Sequence, residues 1–160
     1  MKNQKIQSLP IKIDNNVEVI FSDLDDTLTW KGKMHQETYI SLGALRKSGK
    51  KIVVVTGACA GWCDCIIRTW PIDCIIGENG AFWLYLDEEG NLIKEYQLPD
   101  DVRKKNYLKF NSYAEEIKQL FGIPLAQDQN FRITDIAFDV NQEVKIDKDI
   151  VIKASNWLRE

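Results

Sequence analysis

The chain has 160 residues, 44% of them hydrophobic and 28% charged, with a formal net charge of −3. That composition excludes wholesale disorder, and the slightly acidic balance excludes a dedicated nucleic-acid binder, which needs a basic face. The length suits one domain, or one domain with a fragment of a second. Val17–Phe21 is a continuous apolar, β-branched run and predicts a strand buried on both faces. Gln36–Ser48 places Tyr39, Ile40, Leu42 and Leu45 at helical spacing, with Gly49 as a stop. Ile52–Val55 predicts a second buried strand, Gly61–Trp70 a helix ended by Pro71, and Cys74–Ile76 a third strand closed by Gly77. This alternation is that of a parallel α/β sheet.

Beyond Gly80 the rhythm changes. Ala81–Leu86 and Asn91–Tyr96 flank Asp87-Glu88-Glu89-Gly90 and predict a hairpin. Asp100–Phe121 predicts a long amphipathic helix with Tyr107, Phe110, Tyr113, Ile117 and Leu120 as its apolar stripe. Ile133–Val140 is a strand candidate, and Asp147–Leu158 a helix with Asp147 near its start. No stretch reaches the ~18 apolar residues of a membrane helix, and Met1–Asn16 is too polar for a secretory signal. The four cysteines, at 59, 63, 65 and 74, are poor material for a framework of disulfides and read as reduced thiols of a cytoplasmic protein. Their spacing matches neither a zinc nor a thioredoxin motif.

Asp23-Leu24-Asp25-Asp26-Thr27 follows the first strand directly. In open parallel sheets ligands bind beyond the carboxyl ends of strands, so chemistry is expected there. Three bunched carboxylates repel one another unless a cation or strong donors compensate, and an oxygen-only donor set favours Mg²⁺ over Zn²⁺. The second strand ends in Thr56-Gly57, where a hydroxyl and an unhindered backbone N–H could approach a phosphoryl oxygen. Alone, the acidic run could be a solvated turn and Thr-Gly merely a turn; together, on neighbouring strands, they outline a carboxylate–metal–phosphate site. His35, the only histidine, reads as an exposed residue before a helix. Trp62 and Trp70 flank the helix after Thr-Gly and are either core or the wall of a sugar pocket.

VIFSDLDDTLT followed by IVVVTGA resembles the first two motifs of the haloacid dehalogenase superfamily of phosphohydrolases. GWCDCIIRTWPIDCIIGENGAFWLY, with Gly77-Glu78-Asn79-Gly80-Ala81 as its marker, resembles the branch of Cof-like and trehalose- and sucrose-phosphatase-like sugar-phosphate phosphatases. The resemblance implies a Rossmann-like parallel α/β core, partial and spanning residues 1–82, with the beginning of an α+β cap over residues 83–160. It implies Asp23 as nucleophile, forming an aspartyl-phosphate, and Asp25 as general acid and then base. Mg²⁺ would be held by Asp23 and Asp25, the latter through its backbone carbonyl. Thr56 and Gly57 would hold the transferring oxygens, and Thr29–Lys33 would form a flap. Arg132 and Asp135, with Thr134, would meet the substrate, a small phosphate ester, expected to be a sugar phosphate; a structural ion pair is the competing reading of the two charged residues.

Two features depart from the family pattern. Ala58 stands where relatives often carry Arg, and nothing between Asn91 and Glu160 fits the third, basic motif or the fourth, of Gly-Asp-x-x-x-Asp type. The sequence is therefore expected to stop within the cap. As an isolated chain it would be an impaired phosphoric monoester hydrolase, or alternatively a non-catalytic truncated or split-gene fragment. Its first strand would become an exposed edge, open to self-association or to a complementing C-terminal chain.

Overall fold

The structure, a computed structural model, describes residues 16–159. The N-terminal stretch read above as too polar for a signal lies, up to residue 15, outside the described residues. Strands β1 (Val19–Asp23), β4 (Lys51–Val55), β5 (Cys74–Gly77), β6 (Phe82–Leu86) and β7 (Leu92–Tyr96) form one sheet in that spatial order, β1 at its edge. The first three run parallel, and the last two are antiparallel additions. A small ribbon, β2 (Thr29–Trp30) with β3 (Lys33–Met34), follows β1. Helices α1 (Gln36–Lys47) and α2 (Ala60–Thr69) are the crossovers, and α3 (Asp100–Phe121) and α4 (Lys148–Trp157) lie beyond the sheet.

Hydrophobic alternation explains which face is sealed. Ile52, Val54, Ile75 and Leu84 sit in register on one face and are fully buried with Leu42 of α1 and Cys63, Ile66 and Ile67 of α2. On the other face Phe21, Val53 and Cys74 align, as do Asp23, Val55, Ile76 and Trp83, and none of these is buried. The expectation that the first strand is buried on both faces is therefore corrected. Val19 is 42% exposed and Phe21 65%. As the edge strand among the described residues, β1 has β4 on one side only, and its outward alternation faces away from both crossover helices.

The sheet also runs on past residue 82, because Ile75, Ile76 and Gly77 pair with Leu84, Trp83 and Phe82. Arg103 of α3 stacks over Tyr96 at 3.5 Å and ties the next helix to β7. A second, smaller core forms where Ile117, Ile123 and Ala154 are buried against Phe121, Phe138 and Trp157. Ala114 and Ile117 carry the buried stripe of α3, whereas Tyr107 and Leu120 of the predicted stripe are exposed. Ile133–Val140 is not a strand. Its pairing shrinks to the bridge between Leu125 and Phe138, because side chains take over its amides; Gln129, for one, accepts the Ala137 N–H at 2.8 Å. Among the described residues, no helix is long and apolar enough to cross a membrane.

Candidate active site

The acidic loop is wound tightly at the end of β1. Leu24 is buried, and its carbonyl accepts from the Leu28 and Thr29 N–H groups, both at 3.0 Å, and from the Thr29 hydroxyl at 3.2 Å. That anchor turns Asp23, Asp25 and Asp26 outward. The Thr27 hydroxyl donates to Asp23 Oδ2 at 3.3 Å. Burial, then the charges of Asp23 and Asp26, push the Asp25 carboxyl above the ordinary carboxylate range. Asp26 has φ 56°, a left-handed conformation that Asp tolerates better than most residues.

Across the strand pair, Asp23 is in register with Val55, so Thr56-Gly57 emerges beside the acidic loop. Thr56 is 3% exposed, and its Oγ1 accepts the Ala58 N–H at 3.0 Å, which leaves the hydroxyl proton to donate. The Gly57 N–H has no acceptor among the described residues. A Cβ on Gly57 would meet Asn79 Oδ1 at 2.9 Å, so a side chain here would have to push the Asn79 amide aside.

Arg132 crosses from the second half of the chain to this point. Its Nη1 donates to the Gly57 carbonyl at 3.2 Å and to Asp135 Oδ1 at 2.9 Å, while Nε and Nη2 fork onto Asp128 at 3.2 and 3.0 Å. Burial opposes the guanidinium charge, but the bonds from Asp128 and Asp135 outweigh it and raise its pKa. Burial pushes the Asp135 carboxyl up, with Glu78 and Asp128 adding to it, and Arg132 only partly offsets the rise. Of the catalytic and binding candidates, Asp25, Gly57 and Arg132 line one pocket of about 500 Å³, and Asp23 is not in its lining. Thr56 lies buried behind Gly57, and Asp135 is turned to Arg132. Thr29 and Met34, cross-strand partners in the β2–β3 ribbon, line the same pocket, as do Trp62, Trp70, Asp128 and Gln142.

Sequence reasoning assigned no role to Glu78. Only 2% exposed, its carboxylate accepts the Ala60 N–H at 3.0 Å, the Ile133 N–H at 3.0 Å, the Thr134 N–H at 2.7 Å and the Asp135 N–H at 3.1 Å, together with the Thr134 hydroxyl. It thus fastens the 132–135 segment to the start of α2. A charged residue between two glycines after an apolar strand was the available signal. Asp128 was also missed, although its four-residue spacing from Arg132 suits a pair.

Gln142 reaches the pocket on a turn organised by buried Asp139, which accepts the N–H groups of Gln142 (2.8 Å), Glu143 (2.9 Å), Asn141 (3.2 Å) and Val144 (3.3 Å). These bonds, the Gln142 N–H foremost, hold the Asp139 carboxyl below its ordinary value of 3.8. A depressed folded value contributes stability that is complete above the unfolded pKa and is lost as pH falls through the folded one. Protection of the amides of residues 141–144 against exchange, corrected for intrinsic rates, is therefore expected to hold down to about pH 4 and to fall only in stronger acid. Protection that declines already between about pH 6 and 5 would exclude Asp139 as the organiser.

A donor set of aspartate oxygens alone suits a hard cation such as Mg²⁺, which would also offset the mutual repulsion of Asp23, Asp25 and Asp26. Among the described residues no cluster of three or more metal-ligating side chains is found. That still fits Mg²⁺, which commonly takes one or two carboxylates and fills its other positions with phosphate and water.

Carboxylates and a Thr-Gly pair thus stand at the carboxyl ends of adjacent parallel strands, where open α/β sheets commonly meet their ligands. The chain belongs to the haloacid dehalogenase-like hydrolases, whose family model matches residues 20–157. Among solved structures, Thermoplasma acidophilum 0175 is similar over 89% of this chain and 57% of its own, with TM-score 0.69 and 16% identity. A Bacteroides thetaiotaomicron phosphatase of the haloalkanoate enzyme superfamily is similar over 95% of this chain and 64% of its own (TM-score 0.51, 19% identity). A Plasmodium falciparum IMP-nucleotidase is similar over 86% and 40% respectively (TM-score 0.53, 16% identity). Such likeness is one of fold, and the chain spans less than two thirds of each of these proteins. No curated protein matches the sequence.

Proposed function

We propose that this chain carries the reaction centre of a phosphoric monoester hydrolase acting on a small phosphate ester, a sugar phosphate, in the cytoplasm. The observation that carries the reading is the juxtaposition of Asp23 and Asp25 with Thr56-Gly57 across the β1–β4 register. In this reading the Asp23 carboxylate attacks phosphorus and takes the phosphoryl group as an aspartyl-phosphate. Asp25, whose carboxyl is held above the ordinary carboxylate range by burial and by the charges of Asp23 and Asp26, donates a proton to the leaving alcohol and then accepts one from the attacking water. The Thr56 hydroxyl and the Gly57 N–H steady the phosphoryl oxygens. Mg²⁺, held by Asp23 and Asp25, would neutralise part of the charge between an anionic nucleophile and an anionic substrate. Arg132 and Asp135 act from the cap side, Arg132 at the pocket wall and Asp135 by holding it. The cap is read as beginning beyond β7, since the hairpin belongs to the core sheet.

With no later basic or acidic motif among its 160 residues, this chain alone is read as slow. A second reading, favoured by the bare edge and face of β1, is that activity needs further strands from a complementing chain, or that the edge pairs two copies. Phosphate and orthovanadate binding test the centre without requiring turnover. Calorimetry is expected to find binding that depends on Mg²⁺ and is abolished in Asp23→Asn, with any hydrolysis of p-nitrophenyl phosphate falling by about 10²-fold or more. Binding indifferent to both the metal and Asp23 would end the proposal.

A further inference from the structure

The pocket beside Asp25 has a wall that the phosphoryl chemistry does not use. Trp62 lies one position before buried Cys63 on α2, so the turn of the helix places it outward. It is 60% exposed and lines the pocket with Trp70 and Met34. Asp128, Arg132 and Gln142 give the same pocket a polar side.

The charges on that side are already committed. Arg132 is the only cation lining the pocket among the described residues, and its guanidinium is shared between Asp128, Asp135 and the Gly57 carbonyl. Lys33 of the nearby ribbon does not supply another. In β2–β3 the pocket-facing pair is Thr29 with Met34, and Trp30 and Lys33 form the neighbouring pair on the other face. Asp128 and Asp135 together outweigh the single charge of Arg132, so this part of the pocket has no surplus cation. A second phosphate or carboxylate entering there would meet carboxylates and no free cation. An uncharged ring bearing hydroxyls meets an indole face for its C–H surface and carboxylate and amide groups for its hydroxyls.

We infer that Trp62 is a specificity-determining residue, the stacking wall for the uncharged sugar ring of a monophosphate, in a pocket whose paired Arg132 and Asp128 turn away a second anionic group. The inference rests on the phosphatase reading above and adds to it the character of the leaving alcohol. The transferring phosphoryl group stays at Asp23, and only the ring reaches Trp62.

The test follows the indole N–H resonances of the full ¹⁵N-labelled chain, with five tryptophans to resolve. Mg²⁺ is present throughout, and Trp62 is assigned from its absence in Trp62→Phe. Glucose 6-phosphate and free glucose are both expected to shift the Trp62 signal. Trp62→Ala is expected to weaken glucose 6-phosphate about tenfold and leave inorganic phosphate unchanged, with Trp62→Phe recovering most of the loss. Fructose 1,6-bisphosphate is expected to bind more weakly than glucose 6-phosphate. Equal loss of phosphate and sugar phosphate in Trp62→Ala would mark a general structural effect and overturn the assignment. So would a bisphosphate that binds as tightly as the monophosphate, or a Trp62 signal shifted by adenosine 5′-monophosphate but not by either sugar ligand. If glucose still shifts Trp62 while phosphate binding ignores Asp23→Asn, the wall stands and the reaction-centre reading falls.

Discussion

Replacing Glu78 by Ala is expected to lower the free energy of unfolding by about 4 kcal/mol. The carboxylate is buried and collects four backbone N–H groups and one hydroxyl from two separate segments. Truncation orphans the Ala60, Ile133, Thr134 and Asp135 amides, at about 1 kcal/mol each even when water partly replaces the acceptor. Urea unfolding should show a midpoint lowered by about 2 M. Glu78→Gln keeps the shape but turns an amide NH₂ toward donors, and should recover less than half of the loss. Glu88→Ala, on the exposed hairpin turn, should change stability by less than about 0.5 kcal/mol. A Glu78→Ala variant as stable as Glu88→Ala would refute the latch.

Gly77→Ala is expected to be nearly as damaging, for a different reason. Gly77 has an ordinary extended backbone (φ −108°), so conformational freedom is not what the position demands. Space is. An added Cβ would lie 2.3 Å from Phe82 Cζ and 2.7 Å from Cys63 Sγ, both side chains completely buried. Such overpacking costs about 3 kcal/mol, and more if the ring cannot turn aside. Thermal unfolding should show the loss, and adding Phe82→Leu should return part of it, a coupling that independent sites would not show. Gly43→Ala is the contrast. A methyl group at this position of α1 would have nothing within 4 Å, and the substitution should stabilise by about 0.5–1 kcal/mol.

Much of this fold is legible in the sequence where periodicity and end signals coincide. α1 stops within a residue of its predicted end, where Gly49 takes φ 84°, and α3 spans its predicted range with Gly122 in the left-handed cap. What was not legible depends on neighbours distant in sequence. An apolar run such as Val19–Phe21 reads the same at the centre of a sheet or at its edge, and only the lack of later motifs pointed to the edge position it has. Ile133–Val140 alternates like a strand, but the Gln129 and Asp139 carbonyl and carboxylate oxygens claim amides in and just beyond it. At the site, the approach of Asp25 to Gly57 followed from strand order. Glu78 did not stand out, because its partners are backbone amides of a segment whose position no local pattern announces.

The Glu78 turn also bears on how quickly the molecule comes apart. Glu78 and Asn79 both hold left-handed backbones, φ 44° and 59°, a conformation costing roughly 1–2 kcal/mol at a residue other than glycine. The bonds that offset this strain come from residues 55 to 57 positions downstream. Such a contact closes a long loop and belongs to the late side of the folding barrier, after the local α1–β4–α2 crossovers have formed. Interactions absent from the transition state govern the rate of unfolding and leave the rate of folding almost untouched. The lifetime of the docked 132–135 segment, and of the pocket wall that Arg132 provides, is thus expected to depend on the bonds that the Glu78 carboxylate makes to that segment.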